Sequence, residues 1–114
     1  MTDCIFCGIA RGEVKANIIF SDDDIVAFHD VAPQAPTHVL VIPRKHIPSI
    51  NDCTPEDLPI LARLLETCVK IAEQESILDS GYRLVLNAGR DAGQVVNHIH
   101  LHLLGGRKMS WPPG

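Results

Sequence analysis

Hydrophobic and polar residues alternate with two different periods along this chain, and the period of two predicts strands. The runs NIIF (17–20) and IVAFHD (25–30) lie on either side of the turn-like SDDD and predict a β-hairpin. THVLVIPRK (37–45) predicts a third strand that ends at Pro43, because proline cannot donate to a sheet ladder. GYRLVLNAG (81–89) predicts a fourth.

The run HIHLHLL (98–104) predicts a fifth strand, stopped by Gly105 and Gly106. Within such a strand His98, His100 and His102 share one face, and the aliphatic residues between them pack under a helix.

A period of three to four residues runs through 53–75 (CTPEDLPILARLLETCVKIAEQE) and predicts one long helix. Thr54 is expected as the N-cap, with Pro55 at the first helical position and Asp57 at the third as a partial capping box. The apolar residues expected to line its buried face are Leu58, Leu61, Leu65, Val69 and Ala72. A weaker pattern predicts a short helix near residues 4–12. The expected fold class is α+β, a mostly antiparallel sheet of about five strands with one long helix on it, in a single domain spanning 1–114.

Composition narrows the function classes. The 114 residues carry a net charge of -4, and the pI near 5.8 argues against a nucleic-acid-binding surface, which requires a basic stripe. No apolar run approaches the ~20 residues of a membrane span, and no export signal is visible at the N-terminus. We therefore expect the cytoplasm, where four cysteines are reduced or bound to metal rather than paired as disulfides.

The three clustered histidines are the first candidate for chemistry. Along a straight strand His98 and His102 lie roughly 13 Å apart, too far for one metal ion to bind all three rings. We therefore expect separate roles for the three rings. The alternative is a solvated strand face with accidental spacing.

The pair Cys4 and Cys7 forms a C-x-x-C, whose spacing lets two thiolates reach one metal ion. No second C-x-x-C follows, so two reduced cysteines buried beside Phe6 are the alternative. Cys53 and Cys68 are expected to be structural.

HIHLHLL fits the signature of the histidine triad (HIT) superfamily. AFHDVAPQAPTHVLVIPRKHI and AGQ…HIHLHLLGGRKMSWPPG resemble the Hint branch of that superfamily, the purine nucleoside phosphoramidases. The resemblance implies a nucleotidyl hydrolase or transferase that acts at an α-phosphorus. His100 would attack phosphorus and form a covalent nucleotidyl-imidazole, which water then hydrolyses.

The resemblance also implies roles for residues around His100. His102 would contact the phosphate or its bridging oxygen, His38 would orient His100, and Gln94 would lie by the leaving group. The residues implied in nucleotide binding, besides His100, His102 and Gln94, are Phe28, His29, Asp30, Val31, Asn87, Gly93, Val95, Val96 and Trp111, with Phe6, Ile9 and Leu40 lining the same pocket. For the apolar members, simple packing in the core is the alternative, and for Asp30 a turn-forming role.

Position 95 departs from the pattern, because many Hint proteins have serine where this chain has Val95. A hydroxyl that could assist the leaving group is therefore missing, although the backbone N–H groups of Val95 and Val96 can still bind phosphate oxygens.

Finally, the resemblance implies a structural zinc ion on Cys4, Cys7, His46 and His98, and a homodimer joined through neighbouring strands and the long helices. We expect no requirement for Mg²⁺, because the sequence has no evident carboxylate cluster suited to it. Trp111 would reach towards the partner's active site; the alternative is a tail folded on its own subunit. The expected function is cleavage of the P–N bond of purine nucleoside phosphoramidates. The alternatives are dinucleoside polyphosphate hydrolysis, a nucleotide-binding scaffold with incidental activity, or a zinc-binding structural module.

Overall fold

Five antiparallel strands form one sheet in the order β1-β2-β3-β5-β4, in a computed structural model that describes residues 4–114. Residues 1–3 of the expected domain lie outside the described part. The elements are α1 (Ile5–Ala10), β1 (Ile18–Ser21), β2 (Ile25–His29), β3 (Thr37–Pro43), α2 (Leu58–Gln74), β4 (Tyr82–Val85) and β5 (Leu101–Gly105). The predicted fold class is confirmed, including the long helix and the short N-terminal one.

The two faces of the sheet are covered by different helices. On one face, Leu101 and Leu103 of β5 join a buried cluster with Leu64, Cys68 and Ile71 of α2. On the other face, the cluster contains Phe28 and Leu40 of the sheet together with Phe6 and Ile9 of α1. Apolar area is thereby removed from water on both sides, and the short helix α1 covers only part of its face.

The start of α2 is shorter than predicted. Pro55–Asp57 forms a 3₁₀ turn, and the α-helix begins at Leu58. The expected capping box is present on that turn: the backbone N–H of Thr54 donates to Asp57 Oδ2 at 3.0 Å, and Lys45 Nζ lies 2.7 Å from Asp57 Oδ1.

The predicted buried face of α2 is wrong except for Ala72 and the partly buried Leu61. Leu58, Leu65 and Val69 are 60%, 51% and 46% exposed. The residues that α2 buries are Leu64, Thr67, Cys68, Ile71 and Ala72. Small side chains in this stripe let the helix approach the sheet closely, and the Thr67 hydroxyl is satisfied by donating to the Arg63 carbonyl at 2.7 Å.

The predicted bounds of the last two strands are also wrong. β4 ends at Val85, and β5 begins at Leu101 rather than His98. The β3–β5 ladder stops at the pair Val41 and Leu101, close to the proline that ends β3. His98 and His100 therefore precede the strand, and the expectation of one shared face fails for them.

No helix within residues 4–114 combines the length and apolar character required to cross a membrane.

Candidate active site and metal centre

Four side chains from three separate segments converge near the N-terminus of α1. Cys4 Sγ, Cys7 Sγ, His46 Nδ1 and His98 Nδ1 all lie within 4.8 Å of one another. His98 Nδ1 is 3.3 Å from Cys4 Sγ, 3.5 Å from Cys7 Sγ and 3.2 Å from His46 Nδ1. Zinc–sulfur bonds of about 2.3 Å and zinc–nitrogen bonds of about 2.0–2.1 Å place tetrahedral ligand atoms at roughly these separations. The four residues could therefore hold a metal ion.

The hydrogen bonding of His98 prepares it for this role. Its Nε2 lies 2.8 Å from the Pro43 carbonyl, which can only accept, so the proton is on Nε2 and the lone pair on Nδ1. Burial lowers the pKa of His98, although the bond to Pro43 opposes that shift. The ring is thus held neutral with its free nitrogen directed at the thiols.

The adjacent His100 has the opposite arrangement. Its Nδ1 lies 2.7 Å from the His98 carbonyl and donates to it, which leaves the lone pair on Nε2. The edge of Phe6 packs against the ring, with centroids 5.1 Å apart and planes at 89°. His100 is buried and lines a pocket, and in the neutral tautomer that this bond favours the lone pair is on Nε2 in a ring of fixed orientation.

His102 is connected to a chain of polar groups across the sheet. The Gln34 backbone N–H donates to His38 Nδ1 at 3.0 Å, so the His38 proton is on Nε2. That nitrogen lies 2.9 Å from His102 Nδ1 and 3.4 Å from Asp30 Oδ2. His102 Nδ1 accepts, and its own proton is on Nε2. We expected His38 to orient His100; the bond that the structure shows goes to His102.

Burial keeps both rings of this chain uncharged. It lowers the pKa of His38, against the attraction of Asp30, and it lowers the pKa of His102 to about 4 with the help of the nearby His100 and His38. Asp30, His38 and His102 are also close enough to share a metal ion, but the proton on His38 Nε2 occupies the position that such an ion would take.

A pocket of about 340 Å³ lies between α1 and the sheet. Its walls are mainly apolar, and its polar groups include Asp30, His100 and His102. The expected nucleotide-site residues that line it are Phe6, Ile9, Phe28, His29, Asp30, Val31, Leu40, Val95, Val96, His100 and His102. Asp30 also forms the turn considered as its alternative role, because its Oδ1 accepts from the Ala32 N–H at 2.8 Å.

The segment after α1 also contributes to this pocket, and sequence reasoning missed it. Val14, Lys15 and Ala16 of this segment line the pocket, as does Ile5 of α1. One signal was available: a side chain at Gly8 would come within 2.6 Å of Val14 Cγ2, so glycine there lets the segment fold back on α1.

Four of the residues predicted to bind nucleotide lie outside the lining of this pocket, as does His38. Gln94 forms hydrogen bonds with the backbone of other residues: its Nε2 donates to the Pro48 carbonyl at 2.7 Å, and its Oε1 accepts from the Gly89 N–H at 3.1 Å. Gly93 adopts a φ of 86° in the same loop, a value that favours glycine. Asn87 lines a second cavity beside His102, and Trp111 is 80% exposed.

Three comparisons relate this arrangement to known proteins. The chain is 49% identical over 107 residues to the purine nucleoside phosphoramidase of Escherichia coli K12, covering 94% of this chain and 90% of that protein. The crystal structure of a HIT family hydrolase from Legionella pneumophila superposes with a TM-score of 0.97 at 54% identity, covering 98% of this chain and 100% of that one. A zinc-bound histidine triad family protein from Mycobacterium smegmatis superposes with a TM-score of 0.79 at 31% identity, covering 92% and 76%. The HIT domain model matches residues 11–109, and the chain belongs to the HIT domain family.

Proposed function

We propose that the protein hydrolyses the P–N bond of purine nucleoside 5′-phosphoramidates through a nucleotidyl intermediate on His100. The observation that carries this proposal is the His100 ring, whose Nδ1–H is held by the His98 carbonyl so that an Nε2 lone pair remains at the pocket. The similarity to the phosphoramidase of E. coli supports the choice of bond.

The chemistry needs two displacements at phosphorus. His100 Nε2 attacks the α-phosphorus, the P–N bond of the substrate breaks, and the amine leaves with its electron pair and takes up a proton from solvent. Water then attacks the same phosphorus and gives up a proton to solvent, while the P–N bond to His100 breaks, its electron pair returns to Nε2, and the nucleoside monophosphate is released. His102, neutral and protonated on Nε2, can donate a hydrogen bond to the charged oxygens that develop in both steps.

The pocket suits a nucleoside. Its volume of about 340 Å³ and its apolar walls from Ile9, Phe28 and Leu40 can accommodate a base, which is large, flat and weakly polar. The Asp30 carboxylate can accept hydrogen bonds from ribose hydroxyls. Among the described lining residues, none offers an evident hydrogen bond that would select one base over another. The proposed preference for purines therefore rests on the similarity to the E. coli phosphoramidase.

We further propose that the metal is Zn²⁺ and that it is structural. Two thiolates and two imidazoles are the donor set that zinc prefers, and four protein ligands leave no position for substrate. When bound, the ion would link α1, the segment after β3 and the segment before β5. We expect turnover without Mg²⁺, which prefers several oxygen ligands.

A homodimer is the proposed assembly. β4 is an edge strand of the sheet, and the exposed apolar side chains of Leu65 and Val69 on α2 and of Leu86 after β4 remain in water in the single chain. Leu65 and Leu86 line one cavity. Pairing of two β4 edges and packing of two α2 helices would cover them.

Dinucleoside polyphosphate hydrolysis is the second candidate. Val95 leaves room for this candidate, because a chain without a hydroxyl at this position offers less help to an amine leaving group.

The test is the His100→Asn variant, assayed for turnover of adenosine 5′-phosphoramidate alongside its affinity for AMP. We expect turnover to fall below about one-thousandth of wild type, because the nucleophile is absent, with AMP affinity within about threefold. Unchanged metal content and melting temperature serve as the folding control. Turnover near the wild-type rate would refute the nucleophile assignment, and faster cleavage of diadenosine polyphosphates by the wild type would favour the second candidate.

A further inference from the structure

A second cavity, of about 290 Å³, lies on the same sheet face as the nucleotide pocket and shares His102 with it. In the sheet, Val85 is paired with His102, and Arg83 is paired with Leu104. Because paired residues project from the same face, this cavity continues the nucleotide pocket from β5 to the edge strand β4. A phosphorus atom at His100 and His102 would therefore have the nucleoside on one side and this cavity on the other.

The cavity is cationic. Arg83 and Arg107 both line it, together with Asn87, His38 and the C-terminal residues Met109, Ser110 and Pro113. No aspartate or glutamate among residues 4–114 contributes to its lining, and the ion pairs found within that range involve neither arginine. Two arginines thus line a cavity to which the described part of the chain brings no carboxylate.

Both guanidinium groups also retain unused donors. Arg83 Nη2 donates to the Ser110 carbonyl at 2.9 Å, and its guanidinium lies 5.9 Å from the Trp111 ring. Arg107 donates through Nε to the Gln34 carbonyl at 3.0 Å and through Nη1 to the Lys108 carbonyl at 3.1 Å. A guanidinium has five N–H groups, so these backbone bonds hold the side chains in position and leave N–H groups for a ligand.

From these observations we propose that the cavity binds the leaving group, and that it selects leaving groups which carry an anionic oxygen group, a carboxylate or a phosphate. The inference rests on the function proposed above and names its substrate class: nucleoside phosphoramidates of amines that bear such a group. Arginine binds both anions in a bidentate geometry, and its donors here are already held by the backbone.

The experiment uses three phosphoramidates of AMP that differ only at the far end of the amine. Their amines are glycine, glycinamide and aminomethylphosphonate. We expect the wild type to show a kcat/KM about tenfold higher for the glycine compound than for the neutral glycinamide compound, with a preference that shrinks at high salt. The phosphonate compound distinguishes the two anions, and a preference for either over glycinamide supports the proposal.

Arg83→Gln and Arg107→Gln should each reduce this preference towards one while leaving turnover of the glycinamide compound within about twofold. Lys70→Gln is the matched control, because it removes one positive charge from an exposed position of α2, on the opposite face of the sheet. The same three compounds are also bound to His100→Asn, so that affinity is measured without cleavage.

Equal handling of the charged and neutral compounds by the wild type would overturn the proposal, as would a preference that survives in both arginine variants. The failure of the proposed function looks different. In that case the wild type cleaves none of the three compounds, and the binding series alone decides whether the anion preference exists.

Discussion

At the scale of single residues, two histidines two positions apart carry their protons on different ring nitrogens, Nδ1 in His100 and Nε2 in His102. His100 gives its Nδ1 proton to a carbonyl, whereas His102 accepts at Nδ1 from another imidazole. One ring therefore presents a lone pair to the pocket and the other an N–H. The proposed nucleophile and the proposed charge-stabilising donor are therefore the same residue type, and they differ because their neighbours differ.

The low pKa of His102 predicts a loss of stability in acid. The ordinary value is 6.5, and the folded value is about 4, so between these pH values the unfolded chain binds a proton that the folded chain does not. The free energy of unfolding should fall as pH drops through this range, with the loss from His102 complete below pH 4. For a half-buried ring we expect about 1–2 kcal/mol, measured by urea unfolding at pH 7, 5 and 4.

His102→Asn should make this pH profile flatter without abolishing its slope. A residual slope is expected because burial also lowers the pKa of His38 and His98. Identical profiles for the variant and the wild type would show that His102 is not the source of the acid sensitivity.

At the scale of elements, alternation of apolar residues predicted all five strands, but it could not predict where two of them stop. The hairpin and β3 are close to expectation because their limits are set by local signals, the SDDD turn and Pro43. The bounds of β4 and β5 depend on their partners in the ladder. The start of β5 follows from the end of β3, a long-range relation that no local pattern contains.

The face of α2 was mispredicted for a related reason. The helix has two sets of apolar residues at helical spacing, and the prediction chose the set with more leucines, which includes Leu58, Leu61 and Leu65. The sheet instead contacts the stripe with smaller residues, Cys68 and Ala72, where the backbones approach closely. Leu58, Leu65 and Val69 of the predicted face stay exposed in the single chain.

Leu64→Ala tests this assignment of α2. The side chain is 1% exposed in the core, so its truncation should lower the free energy of unfolding by about 2–5 kcal/mol. Leu58→Ala is the matched control at a position that is 60% exposed, where about 0.5 kcal/mol or less is expected. Denaturant unfolding of both variants decides, and the reverse order of effects would restore the face predicted from sequence.

The candidate metal ligands come from segments that only the tertiary fold brings together. The C-x-x-C pair was visible in the sequence, whereas the spacing of His46 and His98 carries no signal, and the resemblance to the family was needed to select them. Likewise the pairing of His38 with His102 was not predicted, because it crosses from β3 to β5.

Cys4→Ser should remove the metal and loosen α1. Purified protein is expected to carry about one zinc per chain, and loss of a thiolate ligand should abolish most of it and lower the melting temperature by several degrees. Cys53→Ser is the control, because Cys53 lies outside the cluster and its thiol contacts the Ser49 carbonyl at 3.9 Å. Elemental analysis and thermal melts give both readouts. Zinc-free wild-type protein from unstripped preparations would contradict the assignment.

At the scale of the whole molecule, the two faces of the sheet have different surroundings and different proposed roles. One face packs against α2 in the core, and the other carries the proposed nucleotide pocket, the proposed leaving-group cavity and the candidate metal ligands near α1. β5 serves both faces, with Leu101 and Leu103 directed at α2 and His102 at the pocket. A perturbation of β5 should therefore affect stability and catalysis together. Substitution of the exposed apolar residues of α2, which are Leu58, Leu65 and Val69, should affect neither within one chain.

The exposed apolar residues of α2 are also the basis of the last prediction, which concerns dimer formation. Val69→Glu introduces a charge into an exposed apolar patch of α2, one helical turn from Leu65, which lines a cavity together with Leu86. A buried charge without a partner is costly, so a dimer that covers this patch should dissociate into folded monomers, seen by light scattering coupled to size-exclusion chromatography. Leu78→Glu is the matched control, since Leu78 is 42% exposed and lies beyond the end of α2. A wild-type chain that is monomeric at high concentration, or a dimer indifferent to Val69→Glu, would require a different surface for any assembly.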